Sequence, residues 1–271
     1  MTTITTPDFA AIKKAQNASW SSGDYATVGT TLQIVGETLA EAANLKPGSR
    51  VLDVAAGNGN ATLAFARRWN RVVSTDYVPS LLERGRARAN AEGLEVDFCV
   101  ADAENLPFGN NTFDGVVSTF GVMFTPDQSA AATELVRVCR TDGVVGLANW
   151  TPESFIGQLF KVLGQYRPPP AGVNSPALWG QRAWLQETFG SSTSRIGTTS
   201  REFVFRYRDP QHFMEVFKTL YGPVQKAFEA LDVEGQRGLE GEMLDLIHRM
   251  NTASDGSMAV ASEYLEVLIT K

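Results

Sequence analysis

The sequence predicts an α/β fold: a doubly wound, mostly parallel sheet with helices on both faces and a helical insertion late in the chain. Three observations carry this. Short apolar runs alternate with amphipathic stretches between about residues 51 and 150, and the first of those runs stops at glycines and opens directly into a helix. The composition, 43% hydrophobic and 20% charged over 271 residues, is that of a globular chain. Length alone allows one large domain or two small ones, and the unbroken alternation argues for one domain carrying an insertion.

The elements follow in order. Helical spacing in Phe9 to Ala15 and Thr31 to Ala43 predicts two N-terminal helices, with the polar stretch Asn17 to Tyr25 as the loop between them. After the turn Pro47-Gly48-Ser49-Arg50, Val51 to Ala55 reads as a buried parallel strand. Helix Ala61 to Trp69, strand Arg71 to Thr75, helix Pro79 to Glu92, and strands Glu95 to Val100 and Phe113 to Ser118 come next. A helix from Pro126 to Cys139 leads through the turn Asp142-Gly143 into a strand from Val144 to Trp150. Beyond Trp150 the alternation loosens. Helices are expected at Ser154 to Gln165 and Gln181 to Phe189, a strand at Thr199 to Arg208, helices at Pro210 to Leu231 and Gly235 to Asn251, and a strand at Met258 to Thr270. The chain therefore divides into N-terminal helices and a lid (1–44), a ligand-binding core (45–150), a cap with a late strand (151–257) and a final strand (258–271).

A net charge of −6 and the lack of any lysine or arginine cluster longer than pairs such as Arg67-Arg68 argue against a nucleic-acid partner. Met1 to Ala10 has no basic segment followed by an apolar one, and no apolar run approaches membrane-spanning length, so a cytoplasmic protein with no membrane partner is expected. Cys99 and Cys139 lie in apolar patterns without C-x-x-C spacing and read as buried thiols. No metal site is expected from two isolated histidines.

The run VLDVAAGNGNAT, residues 51–62, is a strand that breaks at Gly57 and Gly59 and opens into a helix. In parallel α/β sheets ligands bind at the carboxyl ends of the strands, and glycine lets the backbone turn tightly and approach a nucleotide-like ligand. Two departures separate it from a nicotinamide fingerprint. Thr62 stands where a third glycine or alanine belongs. Asp53 lies just before the loop, awkward beside a pyrophosphate but suited to a cationic sulfonium with an amino group. That charge logic favours S-adenosylmethionine (SAM). At the end of the second strand Asp76 is placed to accept hydrogen bonds from ribose hydroxyls, the alternative being a helix cap, and Tyr77 to lie against adenine. At the end of the third, Asp102 is placed to accept from the adenine amino group.

The ordered segments VLDVAAGNGNAT, STDYVPSLLERGRARA, VADAENLPFGNNTFDGVVSTFGVMF and ELVRVCRTDGVVGLANW resemble the class I SAM-dependent methyltransferases, notably small-molecule enzymes similar to the quinone-biosynthesis C-methylases. The resemblance covers about Leu45 to Trp150. It implies a Rossmann-like, seven-stranded sheet whose last strand runs antiparallel. It also implies backbone contacts from Ala55, Gly57 and Gly59 to methionine, Asp76 to ribose, Asp102 and Ala103 to adenine, and Ser118 near the methionine end. A homodimer is common among such enzymes, although no interface signature is visible.

The expected reaction is direct displacement onto a small organic acceptor, held by a lid and the 151–257 insertion. Trp20 and Tyr25 are candidates to cover the cofactor, the alternative being packing against the sheet. Phe120, Met123, Trp150 and Trp179 are candidates for the acceptor pocket, which would suit an apolar or aromatic molecule; ordinary core packing is the alternative. His212 is the candidate base, with His248 behind it. The rival functions are an NAD(P)-dependent oxidoreductase and a SAM-binding protein without catalysis.

Overall fold

The computed structural model describes residues 7–271; the first part of the Met1 to Ala10 segment and of the 1–44 unit lies outside the described residues. Seven strands form one sheet: β1 (Arg50–Val54), β2 (Arg71–Asp76), β3 (Val96–Val100), β4 (Phe113–Thr119), β5 (Cys139–Trp150), β6 (Arg195–Tyr207) and β7 (Met258–Thr270). Their order is β3-β2-β1-β4-β5-β7-β6. The pairs from β3 through β5 are parallel, and β7 runs antiparallel to both β5 and β6.

Alternate residues of the central strands feed two apolar clusters, as the two-residue period of a strand requires. Val51, Val72 and Val117 pack with Leu39, Ala43 and Phe65. Leu52, Val73 and Val116 join a larger cluster that continues through Leu135, Trp150 and Phe155 to Phe213. The helices on the first side are α3 (Gln33–Ala43) and α4 (Asn60–Arg67); α5 (Pro79–Ala91) joins β2 to β3 and α6 (Gln128–Val138) joins β4 to β5. Helices α7 (Phe155–Tyr166), α8 (Arg182–Phe189), α9 (Pro210–Leu220), α10 (Gly222–Glu229) and α11 (Val233–Met250) make up the cap with β6.

Four element boundaries differ from expectation. The polar stretch after Asn17 is helical: α1 (Phe9–Trp20) runs through it, and a separate helix, α2 (Tyr25–Thr30), follows a short turn. β5 begins at Cys139, because α6 ends one residue earlier and the chain passes directly into the sheet. β6 begins at Arg195, where its ladder to β7 starts opposite Thr270. The single helix expected over Pro210 to Leu231 breaks at Tyr221, because Pro223 has no N–H to continue the ladder and Gly222 lies against the Ser19 carbonyl.

Candidate cofactor cleft

The carboxyl ends of β1, β2, β3 and β4 open into one cleft, roofed by α1 and the start of α2. Its floor is the turn after β1. Ala55 adopts φ +51°, a left-handed conformation that costs a non-glycine residue about 1 kcal/mol or more, and Phe120 at the end of β4 adopts φ +56°. Both line the cleft, so backbone strain collects where the ligand would sit. Gly57, at φ +57°, would carry a Cβ towards the Tyr25 ring at 3.5 Å, into the space between turn and roof. The turn is a cradle that a side chain would fill.

Asp76 holds this turn. One carboxylate oxygen accepts from the Gly57 N–H at 2.8 Å and the other from the Val78 N–H at 2.9 Å. Burial pushes its pKa up to about 6, against the lowering effect of those donors. At β3's end, Asp102 accepts from the Glu104 N–H at 2.9 Å and pairs with Lys13 of α1 at 2.6 Å; Lys13 also reaches Glu104 at 2.9 Å. The Ala103 N–H makes no bond within the described residues, so donor and acceptor stand side by side as the edge of an adenine ring requires. Burial raises the Tyr77 phenol well above its ordinary range.

Helix α1 contributes no buried residue to the core and is tied down by polar groups. Besides Lys13, Gln16 donates to the Phe124 carbonyl at 3.1 Å and Asn17 to the Tyr77 carbonyl at 2.7 Å. Asn58 of the turn and Asn60 at the start of α4 anchor α2: Asn58 donates to the Ala26 carbonyl at 3.1 Å and Asn60 to the Gly29 carbonyl at 2.6 Å. Trp20 meets Tyr25 edge-on at 5.4 Å and Phe124 at 5.0 Å, giving this end of the cleft an aromatic wall.

Of the residues expected at a site, Trp20, Tyr25, Ala55, Gly57, Asp76, Tyr77, Asp102, Ala103 and Phe120 line this cleft. Others do not. Gly59, at φ +85°, forms the N-terminal cap of α4, and a Cβ there would meet Thr62 and Gly85 rather than the cleft. Ser118 is buried, donating to the Val54 carbonyl at 2.7 Å and accepting from the Val122 N–H at 3.1 Å, which ties β4 to β1. Met123 and Trp179 are fully buried in packing. Trp150 is buried behind Phe120, its ring stacked on it at 3.9 Å, so it supports a wall residue without facing the cleft.

His212 lies in the first turn of α9, its Nδ1 accepting from the Arg208 N–H at 3.3 Å and its ring against Tyr207, outside the cleft. It has no position from which to take a proton there. Asp53 also departs from expectation. Its Oδ2 accepts from the Thr62 N–H at 2.7 Å and the Thr62 hydroxyl at 2.6 Å, holding the start of α4, while Oδ1 is buried without a partner. Burial raises its pKa to about 7, opposed by the Thr62 bonds.

Lys13, Gln16, Asn58 and Glu104 line the cleft without having been singled out in the sequence. Gly121 and Phe124 line it too, in the segment Phe120 to Phe124 that the sequence places after the fourth strand, at the methyl end of the cofactor. The lack of a side chain at Gly121 lets Ala55 approach, because a Cβ would strike the Ala55 carbonyl.

A seven-stranded sheet of this order, with a cleft at its parallel strand ends, is a Rossmann-like methyltransferase fold. The family described as "Methyltransferase domain" matches residues 51–143. An uncharacterised protein of Mycobacterium tuberculosis is 40% identical over 231 residues, covering 83% of this chain and 84% of its own. The ubiquinone/menaquinone biosynthesis C-methyltransferase UbiE of Burkholderia vietnamiensis is 33% identical over 153 residues, covering 51% of this chain and 63% of its own. Among solved structures, the phosphoethanolamine N-methyltransferase 2 of Haemonchus contortus in complex with SAM matches with a TM-score of 0.55 at 16% identity, over 87% of this chain and 52% of that one. The chain belongs to the class I SAM-dependent methyltransferases, and its cofactor is S-adenosylmethionine. That membership sets aside the oxidoreductase reading. Among the described residues no helix is long and apolar enough to cross a membrane.

Proposed function

We propose that the cleft binds SAM with adenine at Asp102 and Ala103, ribose at Asp76, the methionine portion over Ala55 and Gly57, and the methyl group turned towards Phe120, Trp20 and Phe124, where a small acceptor takes it. The observation that carries this reading is that a glycine cradle, a buried carboxylate and an adjacent donor–acceptor pair stand at the ends of three neighbouring parallel strands in one cleft. When bound, SAM supplies an electrophilic methyl group: its carbon–sulfur bond breaks as the acceptor's lone pair forms the new bond, and sulfur keeps the electrons, leaving S-adenosylhomocysteine (SAH).

What the chain supplies is position and shelter from water. The aromatic wall suits an apolar or aromatic acceptor. Among the described lining residues there is no histidine, the Lys13 amine is engaged by Asp102 and Glu104, and the Asp76 and Asp102 carboxylates accept from backbone N–H groups. An acceptor that ionises unaided, such as an acidic phenol, a thiol or an activated ring carbon, meets these conditions.

Calorimetric titration with SAM, SAH and NAD tests the binding half. Micromolar binding of the two sulfur ligands and none of NAD is expected, and silence with both sulfur ligands would remove the reading. Incubation with SAM and a panel of phenols, thiols and quinone-like rings, read as SAH formation, tests the transfer. Binding without turnover across that panel would favour a non-catalytic SAM-binding role.

A further inference from the structure

The lid does not lie over the cleft unaided. Its turn, Ser19 to Asp24, is pressed against the break between α9 and α10 in the cap, some two hundred residues away in sequence. Gly23 and Tyr221 form an isolated antiparallel bridge, and the Asp24 N–H donates to the Leu220 carbonyl at 3.2 Å. The backbones meet so closely that only glycine fits on either side. A Cβ on Gly23, already at φ +66°, would stand 2.7 Å from the Leu220 carbonyl oxygen, and a Cβ on Gly222 would strike the Ser19 carbonyl.

The Tyr221 ring, 7% exposed, sits 5.6 Å from Trp20 and 6.1 Å from Tyr25, the two lid aromatics that line the cleft. On its other side Phe217 lies at 5.1 Å and leads into the buried aromatic stack of the cap. Since α1 has no fully buried residue, this junction, with the Trp20–Phe124 contact and the buried Ala26 and Val28 of α2, supplies the apolar anchorage of the lid, beside the polar ties of Lys13, Gln16 and Asn17.

We propose that the Leu220–Tyr221–Gly222 junction is a positioning element of the cofactor site: it holds Trp20 and Tyr25 over the cleft, so that release of SAH requires the lid to leave the cap. The proposal rests on the reading that this cleft holds the cofactor. Tyr221 acts through the lid aromatics and needs no contact with the reacting atoms.

The test is the dissociation rate of SAH from the full chain, followed by stopped-flow tryptophan fluorescence well below the melting temperature. Gly222→Ala and Tyr221→Ala are expected to raise that rate about three- to tenfold, the range set by aromatic contacts of this kind. Tyr221→Phe, which keeps the ring, should release SAH at the wild-type rate. Gly241→Ala, at a site with open space around it, is the control. Gly23→Ala serves as a second lid variant should Gly222→Ala fail to fold.

A merely structural role would lower the melting temperature and leave dissociation from the folded protein untouched; that result in Tyr221→Ala and Gly23→Ala would overturn the proposal. Asp76→Ala in the same assay keeps the two readings apart. If Asp76→Ala loses affinity while the junction variants keep wild-type release, only the positioning role falls. If the wild-type chain binds no SAH, both fall.

Discussion

The floor and the roof of the cleft are built on opposite principles. The floor is the strand-end region around Asp53, Gly57 and Asp76, where buried carboxylates accept from backbone N–H groups at 2.7 to 2.9 Å. The α1 part of the roof has no fully buried residue and is held by the partly exposed ion pairs of Lys13 with Asp102 and Glu104, two amide bonds and the aromatic contacts of Trp20. A bond to a buried charged group contributes about 1.5–3 kcal/mol and an exposed ion pair about 0.2–1 kcal/mol. Affinity should therefore reside in the floor and exchange in the roof.

The sharpest way to break that contrast is Gly57→Val. Branched carbon in the cradle should abolish SAM binding while circular dichroism still reports a folded chain, and retained affinity would move the site elsewhere. Next comes Asp76→Ala, expected to weaken SAM by about tenfold or more in calorimetry, since a charge-assisted acceptor is lost. An unchanged dissociation constant would end the ribose assignment.

The third prediction concerns pH and the floor alone. In the folded chain Asp53 titrates at about 7, above its unfolded value, so it binds a proton on folding and its contribution to stability falls as pH rises from about 4 towards 7. Asp53→Asn should therefore raise the melting temperature of the ligand-free protein most at pH 8, with the gain shrinking as pH falls towards 4. A gain independent of pH would show that folding does not raise the Asp53 pKa. The smallest effect is expected in the roof. Lys13→Met should weaken SAH only a few-fold, and added salt should speed release from the wild type and leave the variant nearly unchanged. A tenfold loss would mean that Lys13 belongs with the floor.

The same contrast decides what could be read from the sequence. Floor chemistry follows the strand–helix alternation: Gly57, Asp76 and Asp102 are picked out by their positions at the ends of successive strands, the glycine spacing alone being weak evidence. The fold was legible for the same reason, because strand and helix periods alternate without long gaps. Roof chemistry is not local. Lys13 lies in the expected helix Phe9 to Ala15 and Asn17 opens the expected loop, and the partners of Lys13, Gln16 and Asn17 lie 60 to 108 residues away.

Composition misleads for the large apolar candidates. Met123, Trp150 and Trp179 look equally fit for a pocket or a core, and all three are buried in the main apolar cluster. Asp53 misleads differently. An acid at the end of a strand can face the ligand or the following helix, and the Thr62 N–H and hydroxyl decide for the helix.

The position of β7 has a bearing on how the chain reaches this structure. Although it comes last among the strands, it occupies an interior place, with β5 on one side and β6 on the other. During synthesis β6 emerges with no neighbour to join, and β5 presents an unpaired edge, until some sixty residues later the strand that bridges them arrives. The nascent sheet is thus open at one flank for most of its assembly, and pairing β7 closes both gaps in one step. Chaperone dependence should concentrate in that interval, and chains halted before Met258 are the ones expected to aggregate.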